Sequence, residues 1–245
     1  RLVNDKKETI TDKDGKEVTA TKEFTPESTD GTVTVTFKFT LSDKQAEALA
    51  GKKVVAFEEI QDNGTTIASH IDINDEAQTI FVPKVETEAT DNGAHVAMGH
   101  KNQTIVDKVT CSNLIIGKKY KVSGVLMTVD DEGKETKLLI DGQEVTAETE
   151  EFTAEKATEI KELTFTFDGS SLVMGKTVVA FETLTTEGIK IAVHADINDK
   201  NQTVWYPNIK TTAKDANTKT DMASIDENGN IKLVDTVYYK EVEPG

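Results

Sequence analysis

The feature that most limits how this chain can fold is a long internal repeat. Gly51-Lys52-Lys53-Val54-Val55-Ala56-Phe57-Glu58 recurs as Gly175-Lys176-Thr177-Val178-Val179-Ala180-Phe181-Glu182. The stretch from His70 through Asp75 and Gln78 to Thr79 recurs from His194 through Asp199 and Gln202 to Thr203, and Val85-Glu86-Thr87-Glu88-Ala89-Thr90-Asp91 recurs as Ile209-Lys210-Thr211-Thr212-Ala213-Lys214-Asp215. The steps from Glu58 to Glu182, Gln78 to Gln202 and Thr87 to Thr211 are all 124 positions. A gapless match at one period is tandem duplication of a domain-sized unit. Pro83 and Pro207 each follow a Gln-Thr strand, and their fixed backbone suits a junction between modules. One complete module then covers 83–207. Residues 1–82 are the back part of a module, and 208–245 the front part of another.

Alternation of apolar and polar residues makes the chain all-β. Val33, Val35, Phe37 and Phe39 predict a half-buried strand, as do Leu163, Phe165 and Phe167 in the next copy. Tyr120-Lys121-Val122 and Val125-Leu126-Met127 predict another, ending in an acidic turn at Asp130-Asp131-Glu132-Gly133. Asp12-Lys13-Asp14-Gly15 lacks the spaced ligands and terminal Glu of a calcium loop, so it reads as a hairpin turn. Only Asp43 to Ala50 has helical spacing. Short strands separated by turn residues favour an immunoglobulin-like sandwich.

Charge and composition remove several partners. A formal charge of −16 repels phosphate backbones and anionic lipid, so nucleic acid is not an expected partner. A long apolar run is missing, which speaks against membrane insertion. The single cysteine, Cys111, has no partner for an intrachain disulfide and no metal-type spacing around it; a buried, inert thiol is expected, with no metal and no cofactor. The opening Arg1-Leu2-Val3 carries neither an initiator Met nor a signal peptide, so the natural ends are expected to lie elsewhere.

The V-A-F-E segment, the H-x-D-I-N-D-x-x-Q-T segment and the T-x-A-x-D opening, in that order, resemble the VaFE-repeat family of Thr–Gln ester-bond stalk domains on Gram-positive cell-surface adhesins. The resemblance spans the chain. It implies tandem immunoglobulin-like (CnaB-like) β-sandwich modules, extracellular and anchored to the cell wall, each locked by an autocatalytic ester between a Thr on the first strand and a Gln on the last. Carried onto this sequence, it makes Thr87 the nucleophile, Gln202 the acceptor, His194 the base, and Asp107 with Glu182 the acid pair. The implied role is a structural stalk module next to neighbouring repeat modules, reacting once and not turning over.

The chemistry asks for these residue types on its own account. A threonine hydroxyl is a poor nucleophile unless a base takes its proton, and a free imidazole titrates near ~6.5. A carboxamide needs its oxygen polarised and its nitrogen protonated before ammonia leaves. Two carboxyls held close cannot both ionise, so one of Asp107 and Glu182 stays protonated as the donor. Thr90 competes with Thr87 for the nucleophile's place, but its counterpart is Lys214 while that of Thr87 is Thr211. Asp199 is expected to brace the loop around Gln202, a role in orienting His194 remaining open, and Asp75 is its counterpart. His95 and His100 lack repeat counterparts and are expected to face solvent; Trp205 is expected to pack.

The two ends are complementary. Residues 208–245 hold Thr211 and, in Val234-Asp235-Thr236-Val237, Asp235; residues 1–82 hold Glu58, His70, Asp75 and Gln78. Aligned on the complete module, Gly245 falls at Gly117 and Arg1 at Val125, so together they lack only residues 118 to 124. This favours a split module whose halves join head to tail between chains, over a simple truncation. Two other functions stand beside the stalk reading. A hydrolase built on Thr87 and His194 has no G-x-S-x-G, H-E-x-x-H or phosphate-loop motif behind it. An Ig-like module binding a host glycan or protein has one Trp and 6% aromatic residues to work with.

Overall fold

The structure is a computed structural model that describes residues 1–130, 132–170 and 173–243; Asp131 of the predicted acidic turn and Gly245 lie outside these. It comprises two compact units. The first contains Arg1–Lys84, Cys111–Lys119 and Thr153–Glu159, and the second takes the rest of the chain.

In the second unit two sheets pack face to face as an immunoglobulin-like sandwich. One sheet has the order Thr158–Phe167, Gln103–Ser112, Lys84–Asp91. The other is built around Lys176–Thr186, which pairs antiparallel with Lys119–Val129 on one side and with Ile189–His194 and Thr203–Tyr206 on the other. Side chains of a strand alternate between faces, so Gln103, Ile105, Asp107 and Val109 all turn inward. Val85, Ala89, Leu163 and Phe165 line one inner face; Val122, Leu126, Ala180 and Leu184 line the other. Burial of each large apolar side chain is worth about 1.5–3 kcal/mol. The sheets meet so closely at Gly124 that a Cβ there would lie 2.7 Å from Leu163 Cδ1 and Phe165 Cζ.

After Asp91 the chain turns at Asn92 and Gly93, both at positive φ, and crosses to the second sheet. Val96 pairs in parallel with Trp205, Trp205 N donates to His95 O at 2.7 Å, and Ala97 N donates to Trp205 O at 3.0 Å. This crossing corrects one expectation. His95 is half-buried, with Nδ1 2.9 Å from Thr203 O and its ring edge-on to Trp205, because the parallel bridge pulls it against the last strand. His100 is exposed, and Trp205 and Cys111 are buried.

In the first unit Leu2–Asn4, Lys53–Ala56 and Thr79–Phe81 form a sheet in that order, and Glu58–Asp62 pairs with Thr65–His70 as a hairpin. The predicted helix forms over Asp43–Leu49, opened by a capping box in which Gln45 Oε1 accepts from Ser42 N at 2.9 Å. Asp12 closes its predicted turn by accepting from Asp14 N and Lys16 N at 2.9 Å each. The strand predicted over Val33–Phe39 does not form; Val33, Val35 and Phe39 are exposed and only Phe37 packs on the Leu2, Ile10, Val18 and Val54 cluster. The reason lies in pairing. Its counterpart in the next copy, Thr158–Phe167, bonds to Gln103–Ser112, and residues 1–82 contain no counterpart of that partner strand. No described helix is long and apolar enough to cross a membrane.

Candidate cross-linking site

Five side chains meet inside the second unit. Thr87 and Asp107 project from neighbouring strands of the three-stranded sheet. Glu182 and His194 are direct cross-strand partners in the opposite sheet. Gln202 ends a single 3-10 turn, Lys200–Gln202, whose N-cap Asp199 accepts from Asn201 N at 2.9 Å, while Thr203 Oγ1 donates to Asp199 O at 2.6 Å. That turn aims the Gln202 amide inward. Gln202, Glu182 and Asp107 are 0% exposed and Thr87 8%.

Gln202 Nε2 donates to Glu182 Oε2 at 2.6 Å. The Asp107 and Glu182 carboxyls lie within hydrogen-bonding reach of each other and of the Thr87 hydroxyl. Burial first, and then the neighbouring Asp107 carboxyl, push the Glu182 pKa up to about 10. Burial raises Asp107 as well, against the opposing pull of Glu182, Thr87 and His194. Both Asp107 oxygens and Glu182 Oε1 are buried and make no well-formed hydrogen bond. A bond between two carboxyls needs a proton, so one of the two stays neutral at neutral pH.

His194 has two distinct edges. Nε2 is 3.2 Å from Asp199 Oδ2, and Nδ1 is buried with no hydrogen-bond partner among the described residues. The Asp199 contact favours a proton on Nε2, which leaves the Nδ1 lone pair free; the tautomer is assigned from this bonding pattern. Asp199 thus contacts both the 3-10 turn that carries Gln202 and the His194 ring. Thr87 Oγ1 and Gln202 Oε1 are likewise buried without a well-formed partner. A hydroxyl, a carboxamide, an imidazole with a free lone pair and a pair of carboxyls sharing a proton thus lie together, all but the imidazole buried.

The family of T-Q ester bond containing domains matches residues 1–82, 83–206 and 207–245. The chain belongs to that family. Membership implies autocatalytic cross-linking within the chain in place of catalytic turnover. Two crystal forms of a bacterial adhesin from Mobiluncus mulieris, which contains intramolecular disulfide, isopeptide and ester bond cross-links, are 16% identical to this T-Q ester bond chain; they match 64% of it and 76% of their own length, with TM-scores of 0.41 and 0.39. A glycosyl hydrolase family 2 member from Bacteroides cellulosilyticus matches 64% of this chain and 17% of its own at 10% identity, with a TM-score of 0.36. No curated protein matches the chain.

The second predicted site falls in two places. Glu58, His70, Asp75 and Gln78 belong to the first unit, Thr211 and Asp235 to the second. Glu58 and His70 are cross-strand partners, Gln78 Nε2 donates to Glu58 Oε2, His70 Nε2 is 3.0 Å from Asp75 Oδ2, and Asp75 Oδ1 accepts from Ala77 N at 2.8 Å. This repeats the local arrangement of Glu182, His194, Asp199 and Gln202 with Glu58 exposed. Thr211 and Asp235 lie on the hairpin Asn208–Asp215 with Leu233–Lys240, where Thr211 opposes Val237 and Asp235 opposes Ala213. Cross-strand partners and alternate residues share a face, so Thr211, Ala213, Asp235 and Val237 form one exposed patch.

One buried polar cluster escaped the sequence reading. Asp91, Gln103 and Tyr206 are at most 3% exposed and hydrogen-bonded together. Asp91 recurs as Asp215, but Val82 stands at the Tyr206 position of the preceding copy, so the repeat alone does not single the cluster out.

Proposed function

We propose that the complete module is a structural stalk unit of a bacterial surface adhesin, locked by an ester between Thr87 and Gln202. The observation that carries this is the Gln202 amide nitrogen, 2.6 Å from a buried carboxyl held neutral by its surroundings. His194 Nδ1 takes the Thr87 proton as Oγ1 attacks Gln202 Cδ. The new C–O bond forms, the C–N bond breaks, and the Asp107–Glu182 pair gives the departing nitrogen the proton it needs to leave as ammonia. The proton on His194 then returns to the carboxyl pair. Exclusion of water keeps the product ester from hydrolysis.

A covalent tie between the first and last strands carries tension past the hydrogen-bonded core, which is what a load-bearing spacer requires. Placement on a cell wall rests on the family resemblance. The half-modules extend the same reading: Thr211 and Asp235 of one chain meet Glu58, His70 and Gln78 of another, and a head-to-tail contact that does not close grows a filament. Segments with a strand pattern but no strand partner, such as Val33–Phe39, supply the driving force.

His194→Ala tests the first part. The variant is expected to fold with unchanged Trp205 fluorescence and to release Thr87 and Gln202 in separate tryptic peptides; a linked peptide would remove His194 from its role. Denaturing gels test the second. Concentration-dependent ladders are expected, lost in Thr211→Ala or Gln78→Ala but kept in Thr87→Ala, whereas a strictly monomeric species at high concentration contradicts the pairing.

A further inference from the structure

A second tie joins the same two strands four residues beyond the cross-linking pair on each. Thr87 to Asp91 and Gln202 to Tyr206 are equal steps, and Tyr206 OH donates to Asp91 Oδ2 at 3.3 Å in the buried interior. Gln103 completes the arrangement. Its Nε2 donates to the same Asp91 oxygen, and its Oε1 accepts from His100 N at 2.8 Å. Asp91 Oδ1 accepts from Asn92 Nδ2 at 3.0 Å, so both oxygens of the carboxyl are engaged. Gly169 passes so near that a Cβ there would lie 2.9 Å from Gln103 Oε1, so the backbone packs closely on the amide.

Such an investment is more than a turn requires. Asp215, the counterpart of Asp91, is satisfied within its own loop by Asn217 N, Thr218 N and Ser224. In the complete module Asp91 instead meets Tyr206 of the last strand. Burial, followed by the Asp91 carboxyl, raises the Tyr206 phenol well above its ordinary range, so it remains a donor. The parallel bonds between His95, Ala97 and Trp205 lie beside it.

We infer that Asp91, Gln103 and Tyr206 form a register latch that docks the last strand before the ester forms, holding the Gln202 amide opposite the Thr87 hydroxyl. They are positioning residues and touch no reacting atom. A slip of two residues along the last strand would keep the same face inward while carrying Gln202 out of reach, and a buried tyrosine with one acceptable partner penalises that slip. This inference rests on the Thr87–Gln202 assignment.

The test uses the full chain made by cell-free synthesis, quenched in acid at intervals, with ammonia loss followed by intact mass. Tyr206→Phe keeps the ring and Asp91→Asn keeps the shape; Leu163→Val, on a strand that bears no site residue, serves as a control of comparable destabilisation, checked by denaturant unfolding. Both latch variants are expected to cross-link roughly tenfold more slowly than the unaltered chain, yet to the same end point, with Leu163→Val at the unaltered rate. Latch variants that keep pace with the unaltered chain, or that slow no more than Leu163→Val, overturn the latch. An unaltered chain that never loses ammonia overturns the Thr87–Gln202 reading beneath it.

Discussion

Glu182 and Glu58 occupy the same place in two copies of one sequence, and the local structure around them is the same. Each faces a histidine across a hairpin, each receives the amide of a glutamine, and in each copy an N-cap aspartate touches the imidazole. What differs is the cover. Glu182 is 0% exposed beneath the sheet that carries Thr87 and Asp107, while Glu58 is exposed and the His70 side chain is 59% exposed against 23% for His194. Local sequence is therefore enough to bring the proposed base, the proposed electrophile and the aspartate beside them together. Under the proposed reading, reactivity needs more than this. Thr87, Asp107 and the burial of Glu182 all come with the opposite sheet.

Matched substitutions in the two copies put that comparison at risk. Thr87→Ala removes the proposed tie across 115 positions and should cost on the order of 4–5 kcal/mol of stability, by analogy with a disulfide closing a loop of that length. Denaturant unfolding checks this, and Thr211→Ala in the exposed hairpin should cost less than about 0.5 kcal/mol in the monomer. Glu182→Gln removes the buried proton donor and should slow ester formation by about 10²- to 10⁴-fold in a mass time course. Glu58→Gln should leave that rate unchanged.

The pH dependence is a smaller effect with a definite sign. Glu182 rises in the folded state from its ordinary value of 4.5 to about 10, so between these limits the folded chain binds more protons than the unfolded one. Its contribution makes stability fall as pH rises through that window and has no effect below it. Uncross-linked His194→Ala chain should show this slope in its denaturant midpoint, and adding Glu182→Gln should flatten it. Ester formation in the unaltered chain should likewise slow as pH approaches about 10, where the pair loses its proton.

Much of this arrangement was legible in the sequence because it repeats. Recurrence at a fixed step picks out Glu182, His194, Asp199 and Gln202 as a set, and the strand patterns around Phe165 and Val122 give the sandwich. The failures share a physical cause, which is pairing between segments far apart in sequence. Val33–Phe39 has the pattern of a strand and stays unpaired, since pattern specifies a face and not a partner. His95 has no repeat counterpart and is drawn in by a parallel bridge to Trp205. Asp91, Gln103 and Tyr206 look unremarkable alone and acquire meaning only when the chain brings them together.

The central claim is that Thr87 and Gln202 are joined, and intact mass followed by peptide mapping of the purified chain addresses it directly. The account predicts a mass about 17 Da below that of the sequence for each ester formed, one ammonia lost when the threonine oxygen replaces the amide nitrogen. It also predicts a tryptic species in which the Thr87 and Gln202 peptides travel together. An unmodified mass, with those two peptides recovered separately, would contradict it.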